Sequence, residues 1–257
     1  MENAESPGNR RPAEWLAGGP GEKPATAAAT VILVRDAAGG LETLMLRRSS
    51  KVAFGGMWVF PGGKVDAADR AGLDPADELE AARCAAVREA VEEAGLAVPG
   101  ASLVPFSHWT PPSIAPVRFH TWFFLAPAPA GRVEIDQGEI HEHAWMRPDE
   151  ARRRRDAQEI ELAPPTFVTL IELSRFGAVA PALAAARART PERFTTRVAK
   201  AEGGGMVALW HGDAGYEAAD AARPGARHRL WMLDAGWRYE RDAGDRGSAE
   251  PPHASGT

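Results

Sequence analysis

The stretch that most constrains this chain is residues 74–96, Asp-Pro-Ala-Asp-Glu-Leu-Glu-Ala-Ala-Arg-Cys-Ala-Ala-Val-Arg-Glu-Ala-Val-Glu-Glu-Ala-Gly-Leu. Its alanine-rich interior favours helix, because alanine loses no side-chain entropy on becoming helical. Asp74 is expected as the N-cap, and Pro75 as the first helical residue, where its missing N–H costs nothing. Asp77 and Glu78 add negative charge near the positive end of the helix dipole. Gly95 stands where a left-handed C-terminal cap is expected.

The carboxylates on this helix are more informative than the helix. Glu89, Glu92 and Glu93 fall at i, i+3 and i+4, so they project from one side within about one turn. Like charges at that spacing repel, and Arg88, four residues before Glu92, relieves part of the repulsion. Two readings fit. One is a solvated acidic face, the usual state of helix glutamates, and composition and spacing alone favour it. The other is a site for a hard divalent cation, which prefers carboxylate and water oxygens.

Residues 88–96, Arg-Glu-Ala-Val-Glu-Glu-Ala-Gly-Leu, match the second half of the Nudix box, Arg-Glu-U-x-Glu-Glu-x-Gly-U with U aliphatic, at every position. Glu80 lies eight residues before Arg88, where that signature has its first Glu, and Phe60-Pro61-Gly62-Gly63-Lys64 resembles its opening turn. The spacing departs from the family. Sixteen residues separate Gly63 from Glu80 where the family usually has five, so a segment around residues 65–73 is expected to bulge out before the helix.

The rest of the chain is compatible with that resemblance. Residues 27–35 read as a buried strand, residues 36–40 as a turn and residues 41–48 as the second strand of a hairpin. Residues 57–60 read as a short strand delivering the glycine turn. The resemblance implies an α/β Nudix fold, a mixed β-sheet between helices. It covers roughly residues 27–192, after a flexible tail at 1–26. Residues 206–210 and 228–232, with Trp237 and Tyr239 nearby, are expected as short strands of a β element over 193–241. This would pack on the domain or on a partner subunit of a homodimer, and residues 242–257 are expected to be disordered.

A formal charge of −5 gives no argument for nucleic acid or anionic membranes as partners. There is no run of eighteen apolar residues and no signal-peptide core. The lone cysteine, Cys84, excludes an internal disulfide and suits a reducing compartment. A cytoplasmic protein is expected. The basic run at 152–155 is expected as a solvated helix face. His141 and His143 alternate onto one face of a strand, and two imidazoles are fewer than a dedicated zinc site uses.

What the resemblance implies about chemistry can be placed residue by residue. Glu92 and Glu93 would be ligands of Mg²⁺ or Mn²⁺, with Glu89 a ligand or the base that takes a proton from water. The Gly63 carbonyl would complete a metal shell, Arg88 would hold the glutamates in register, and Glu80 would orient Arg88 or bind an outer-shell water. Glu139, just before a strand ending in Trp145, is a further candidate at the metal or as a base. Arg47 and Arg48 could fork onto substrate phosphates. Trp109-Thr110-Pro111-Pro112 and residues 118–124, Arg-Phe-His-Thr-Trp-Phe-Phe, resemble segments of the acyl-CoA diphosphatase branch, with His120 where that branch more often has Asp. So does Pro164-Pro165-Thr166 before an apolar helix. Trp109 and Arg118 are therefore candidates to line the substrate pocket. The expected substrate is a small nucleotide, a nucleoside diphosphate joined to another group, with coenzyme A or its acyl esters foremost. The alternatives are ADP-ribose or a dinucleoside polyphosphate and, from another class, a nucleotide-binding scaffold that does not cleave. The intact acidic cluster argues against the scaffold.

Overall fold

A computed structural model describes residues 25–49, 55–115, 117–136 and 138–242. Of the tails expected to be flexible at 1–26 and disordered at 242–257, residues 1–24 and 243–257 lie outside the described residues, whereas Thr26 already belongs to the first strand. Among the described residues nine strands form one mixed sheet. Strands β1 (Thr26–Ala37), β2 (Gly40–Arg48), β3 (Met57–Val59), β4 (Gly62–Lys64), β5 (Val104–Thr110), β6 (Phe119–Pro127), β7 (Ile140–Met146), β8 (Glu161–Leu162) and β9 (Glu192–Thr195) are ordered β8-β3-β2-β1-β6-β5-β9, with β4 on β1 and β7 on β2. β1 and β2 are the expected hairpin, paired antiparallel from Val34–Thr43 to Ala37–Gly40.

The aliphatic run of β1 explains the layering. Side chains alternate across a strand, so Ala29, Val31 and Leu33 face one side and Ile32 and Val34 the other. The first side is covered by α1 (Glu78–Ala94), whose Ala82, Ala85, Ala86, Ala90 and Ala94 lie almost flat on the sheet. Small side chains let the helix approach closely, which is what brings its glutamates to the sheet edge. The other side is covered by α2 (Pro148–Asp156), α3 (Pro164–Leu173), α4 (Val179–Arg187) and a second sheet. Among the described residues no helix is long and apolar enough to cross a membrane.

α1 begins later than the sequence predicts. Asp77, not Asp74, is the N-cap, its carboxylate accepting from the Glu80 N–H at 3.1 Å. Asp74 instead caps a turn ahead of the helix, accepting from the Ala76 N–H at 2.8 Å. The C-terminal end is as expected. Gly95 has φ +68°, and its N–H and that of Leu96 return to the Ala90 and Val91 carbonyls.

The second sheet is antiparallel and ordered β10 (Arg197–Lys200), β11 (Met206–Leu209), β12 (His228–Leu233), β13 (Gly236–Arg241). Aromatic rings join it to the first sheet. Trp109 stacks on Phe194 at 3.8 Å between centroids, and Trp210 meets both edge-on. Trp237 meets Phe167 of α3 edge-on at 5.3 Å, and the Arg155 guanidinium lies 4.1 Å above Trp237. Arg154 similarly lies over Trp58. The basic run of α2 is thus not simply a solvated face, because three of its arginines, Arg152, Arg154 and Arg155, lie over aromatic rings of neighbouring elements.

Inside the second sheet Asp213 and Arg229 form a fully buried ion pair. Asp213 accepts from Arg229 Nε and Nη2 at 2.7 and 2.6 Å, and from the His228 and Gly215 N–H groups at 2.9 and 2.8 Å. Burial raises its pKa, but the hydrogen bonds from Arg229, His228 and Gly215 outweigh this and hold it below the ordinary value. An acid lowered on folding contributes stability above its unfolded pKa and loses it as pH falls through the folded one. Acid unfolding of the wild-type protein should therefore show a contribution from Asp213 below about pH 4. Asp213→Asn should remove that contribution and cost roughly 3–5 kcal/mol at neutral pH, because it leaves Arg229 buried without its counter-charge. Denaturant melts across pH test both.

Candidate active site

The glutamates of α1 open onto a cleft of about 650 Å³, lined near them by Gly62, Gly63, Lys64, Arg48 and Glu139. Glu93 is 5% exposed. Its Oε2 accepts the Gly62 N–H at 2.9 Å, and its Oε1 lies 3.6 Å from Arg48. Burial pushes the Glu93 carboxyl up to about 7; Gly62 and Arg48 oppose this, and the neighbouring Glu89 and Glu139 charges add to it. Glu89 is raised for the same first reason, burial, against the pull of Arg88. The two carboxylates are therefore short of positive charge in the protein alone.

Gly63 shows how tightly they are held. A Cβ built on it would stand 2.2 Å from Glu89 Oε1, so no other residue fits without moving that carboxylate. Glu92 is the exposed member, its side chain 56% accessible. Hard oxygen donors, a charge deficit and a side-chain-free strand beside them suit a divalent cation. Among the described residues, no three acidic, His or Cys side chains are gathered closely enough to hold one as they stand. Arginines hold them instead.

Arg88 is the hub. Its Nη1 donates to Glu89 Oε1 and Glu92 Oε2, each at 2.8 Å, and its Nη2 to the Lys64 carbonyl at 2.9 Å. Its Nε and Nη2 fork onto Asp69 Oδ1 and Oδ2 at 3.1 and 2.9 Å. Glu80 is expected from the sequence to orient Arg88 or to bind an outer-shell water. Glu80 instead pairs with Arg83 at 2.9 Å, and Arg83 turns to the Leu103 carbonyl. Asp69 comes from the segment expected to bulge outward; a 3₁₀ turn at Ala68–Arg70 folds it back so that it is 8% exposed. Burial raises its pKa, yet Arg88, the Asp66 N–H and Arg70 together bring it below the ordinary value, while Asp69 raises that of Arg88. One signal in the sequence points to it. Five residues separate Gly63 from Asp69, the interval the family has before its first Glu. The extra residues lie after that carboxylate, not before it.

Arg48 holds the far side. Its Nη2 donates to Glu139 Oε2 at 2.8 Å, and Glu139 is set by its own N–H donating to Asp136 at 2.9 Å. Arg47 alternates away, reaches exposed Glu142 and is not among the cleft-lining residues. Arg118 also falls outside that lining, although Val117 and Phe119 beside it contribute to it. Trp109 lines the cleft but is 4% exposed, held between Phe194, Trp210 and Phe123. His120 faces away from the cleft, stacked with His108 and within 3.1 Å of the Thr110 hydroxyl. His141 and His143 are exposed on β7.

A family model described as the NUDIX domain matches residues 24–165. Among solved structures, a NUDIX hydrolase from Alicyclobacillus acidocaldarius is similar at 22% identity, over 64% of this chain and 97% of that one, with TM-score 0.57. A MutT NUDIX hydrolase from Burkholderia pseudomallei matches at 23% identity over 58% and 98%, TM-score 0.43. The NUDIX domain of Shewanella oneidensis NrtR, crystallised with ADP ribose, matches at 21% over 63% and 96%, TM-score 0.43. No curated protein matches.

The site generates two predictions. Asp69→Asn should lower kcat by roughly 10- to 100-fold, by loosening Arg88 and the two glutamates it positions, whereas Glu80→Gln should change kcat less than about threefold; steady-state kinetics of the pair decide which carboxylate orients Arg88. Glu93→Gln should stabilise the protein free of divalent ions. An acid raised on folding is most favourable below its unfolded pKa and loses that advantage as pH rises through about 7. Thermal melts in chelator should place the variant on the order of 1–3 kcal/mol above wild type at pH 8, with no difference of that sign at pH 4.

Proposed function

The chain belongs to the Nudix family of hydrolases acting on pyrophosphate bonds, and within that class we propose that it cleaves a nucleoside diphosphate joined to a larger group, with coenzyme A and its acyl esters the leading substrates. The carrying observation is a cleft with buried, charge-deficient carboxylates and an arginine fork at one end and apolar walls at the other. Such a cleft suits a ligand that is anionic in the middle and apolar at one extremity. Cleavage of coenzyme A at its diphosphate would give adenosine 3′,5′-bisphosphate and 4′-phosphopantetheine.

Nudix hydrolases generally need divalent ions, and Mg²⁺ or Mn²⁺ bound by Glu89, Glu92, Glu93 and the Gly63 carbonyl would supply Lewis acidity and charge neutralisation at the diphosphate. The remaining work falls to the chain's own groups. Arg88 keeps Glu89 and Glu92 at fixed positions despite their repulsion, and Asp69 fixes Arg88 in turn. Arg48 is held at the mouth between Glu93 and Glu139 and offers planar donors to phosphate oxygens. Glu89 accepts from Arg88 at Oε1 beside the Gly63 backbone, and we assign it either to the ion's shell or to receive the water's proton at its other carboxylate oxygen. The Gly62 N–H keeps Glu93 from turning away as charge builds.

A hydrolysis panel tests the reading. Coenzyme A, an acyl ester of it, ADP-ribose and a dinucleoside polyphosphate are incubated with Mg²⁺ or Mn²⁺, and products are identified by mass. Release of adenosine 3′,5′-bisphosphate at the highest kcat/KM, reduced at least about 100-fold in Glu93→Gln, is the expected result. Preference for ADP-ribose or the polyphosphate would keep the chemistry and replace the substrate. Tight nucleotide binding with no turnover of any compound would make the protein a binding scaffold.

A further inference from the structure

The second sheet contributes to the cleft that the glutamates open onto. Val198 of β10, Ala208 of β11, Met232 of β12 and Thr196 just before β10 line it, as do Pro164 and Pro165 at the start of α3. Val198 and Ala208 are cross-strand partners in one apolar strip, of which Val198 is half-buried while Ala208 and Met232 are 1% exposed. The other face of this sheet is already covered. Ala199, Val207 and Leu209 pack with Tyr216 of the long β11–β12 connection.

Its place relative to the chemistry follows from the strand order. The row Lys64, Ala28, Thr121, Trp109, Phe194 crosses β4, β1, β6, β5 and β9 in register. The glutamates sit at the β4 end and the second sheet is joined at the Trp109–Phe194 end. Three strand spacings from β4 to β5 amount to about 14 Å. The second sheet is thus joined three strands away from the glycine turn, on the side where a group distal to the cleaved bond would lie.

We infer that the second sheet is the specificity wall of this enzyme, and that it selects substrates carrying an apolar chain on the arm distal to the nucleotide. This rests on the proposed substrate class. The occupant is argued from continuity. The strip is a wall of the catalytic cleft itself, and an apolar surface in a cleft is favoured when an apolar ligand group displaces its water. Each methylene that leaves water for such a surface strengthens binding by up to roughly fourfold.

The test measures kcat/KM for free coenzyme A and for its acyl esters of increasing chain length, in wild type, Val198→Asp and Ala208→Leu. ADP-ribose is run alongside, and thermal melts check folding. Wild type should prefer a medium or long chain over the free thiol by about tenfold or more. Val198→Asp should bring that ratio to within about twofold of one, and Ala208→Leu, by filling the strip, should move the optimum to shorter chains. Equal turnover of free and acylated forms by wild type, with coenzyme A cleaved, overturns the wall and leaves the substrate class standing. Unchanged ratios in both folded variants do the same. A change in oligomeric state on Val198→Asp with ratios intact would make the strip a contact between copies, which also overturns it. Cleavage of ADP-ribose with no coenzyme A compound touched overturns both readings.

Discussion

The acidic cluster is an electrostatic liability that the structure is arranged to contain. Glu89, Glu92 and Glu93 repel along one helix face, and Glu139 is brought to them from the approach to β7. Burial makes this worse, since water that would screen the charges is removed. Two arginines answer it. Arg88 takes the helix side and Arg48 the strand side, and each bridges two glutamates. Neither arginine could do so as a freely moving surface side chain. Asp69 and the Lys64 carbonyl anchor Arg88, and the Ser49 N–H to Glu139 carbonyl bond ties the end of β2 to the approach to β7. The compensation is incomplete, which is why the Glu93 and Glu89 carboxyls stay raised. A site fully neutralised by its own side chains would have little use for a cation.

The alanine face of α1 serves the same end. A helix with leucines at Ala82, Ala85 and Ala90 would stand further from the sheet, and its carboxylates would not reach the β4 backbone. Glu93 accepts from Gly62, and Gly63 leaves room for Glu89, only because both partners of this contact are small. The packing layer and the chemical site are thus one constraint.

How much of this was legible in the sequence depends on the range of the interaction involved. The helix, its Gly95 cap and the common face of three glutamates follow from local periodicity, and the β1–β2 hairpin from its turn residues. The identity of Arg88's partner does not. Asp69 lies nineteen residues before Arg88 and Glu80 lies eight before it. The spacing of the signature points to the nearer one, yet on the helix Glu80 lies beside Arg83, one turn away. The chain has to fold back through a 3₁₀ turn for Asp69 to arrive, and no periodicity records that. The start of α1 was missed for a related reason, as Asp74 and Asp77 are both competent caps and the turn between them decides which one is used. The arginines of α2 were misread because the rings they cover, Trp58 and Trp237, come from distant parts of the chain.

Trp109 shows how a motif residue can line the cleft while serving the packing of the core. It is pinned by a parallel stack on Phe194 and an edge contact with Trp210, so it has little freedom to adapt to a ligand. Rigidity there is what lets residues remote from the glutamates bear on the same cleft. The first sheet runs through β5 to β9, the stack transfers its position to Trp210, and β11 leads directly into that residue. Displacing the stack would shift Ala208 and Val198 relative to Gly63 without touching a catalytic group. Charge geometry near β4 and packing near β9 are joined through one row of the sheet, so the distance between them is set by the scaffold and not by mobile side chains.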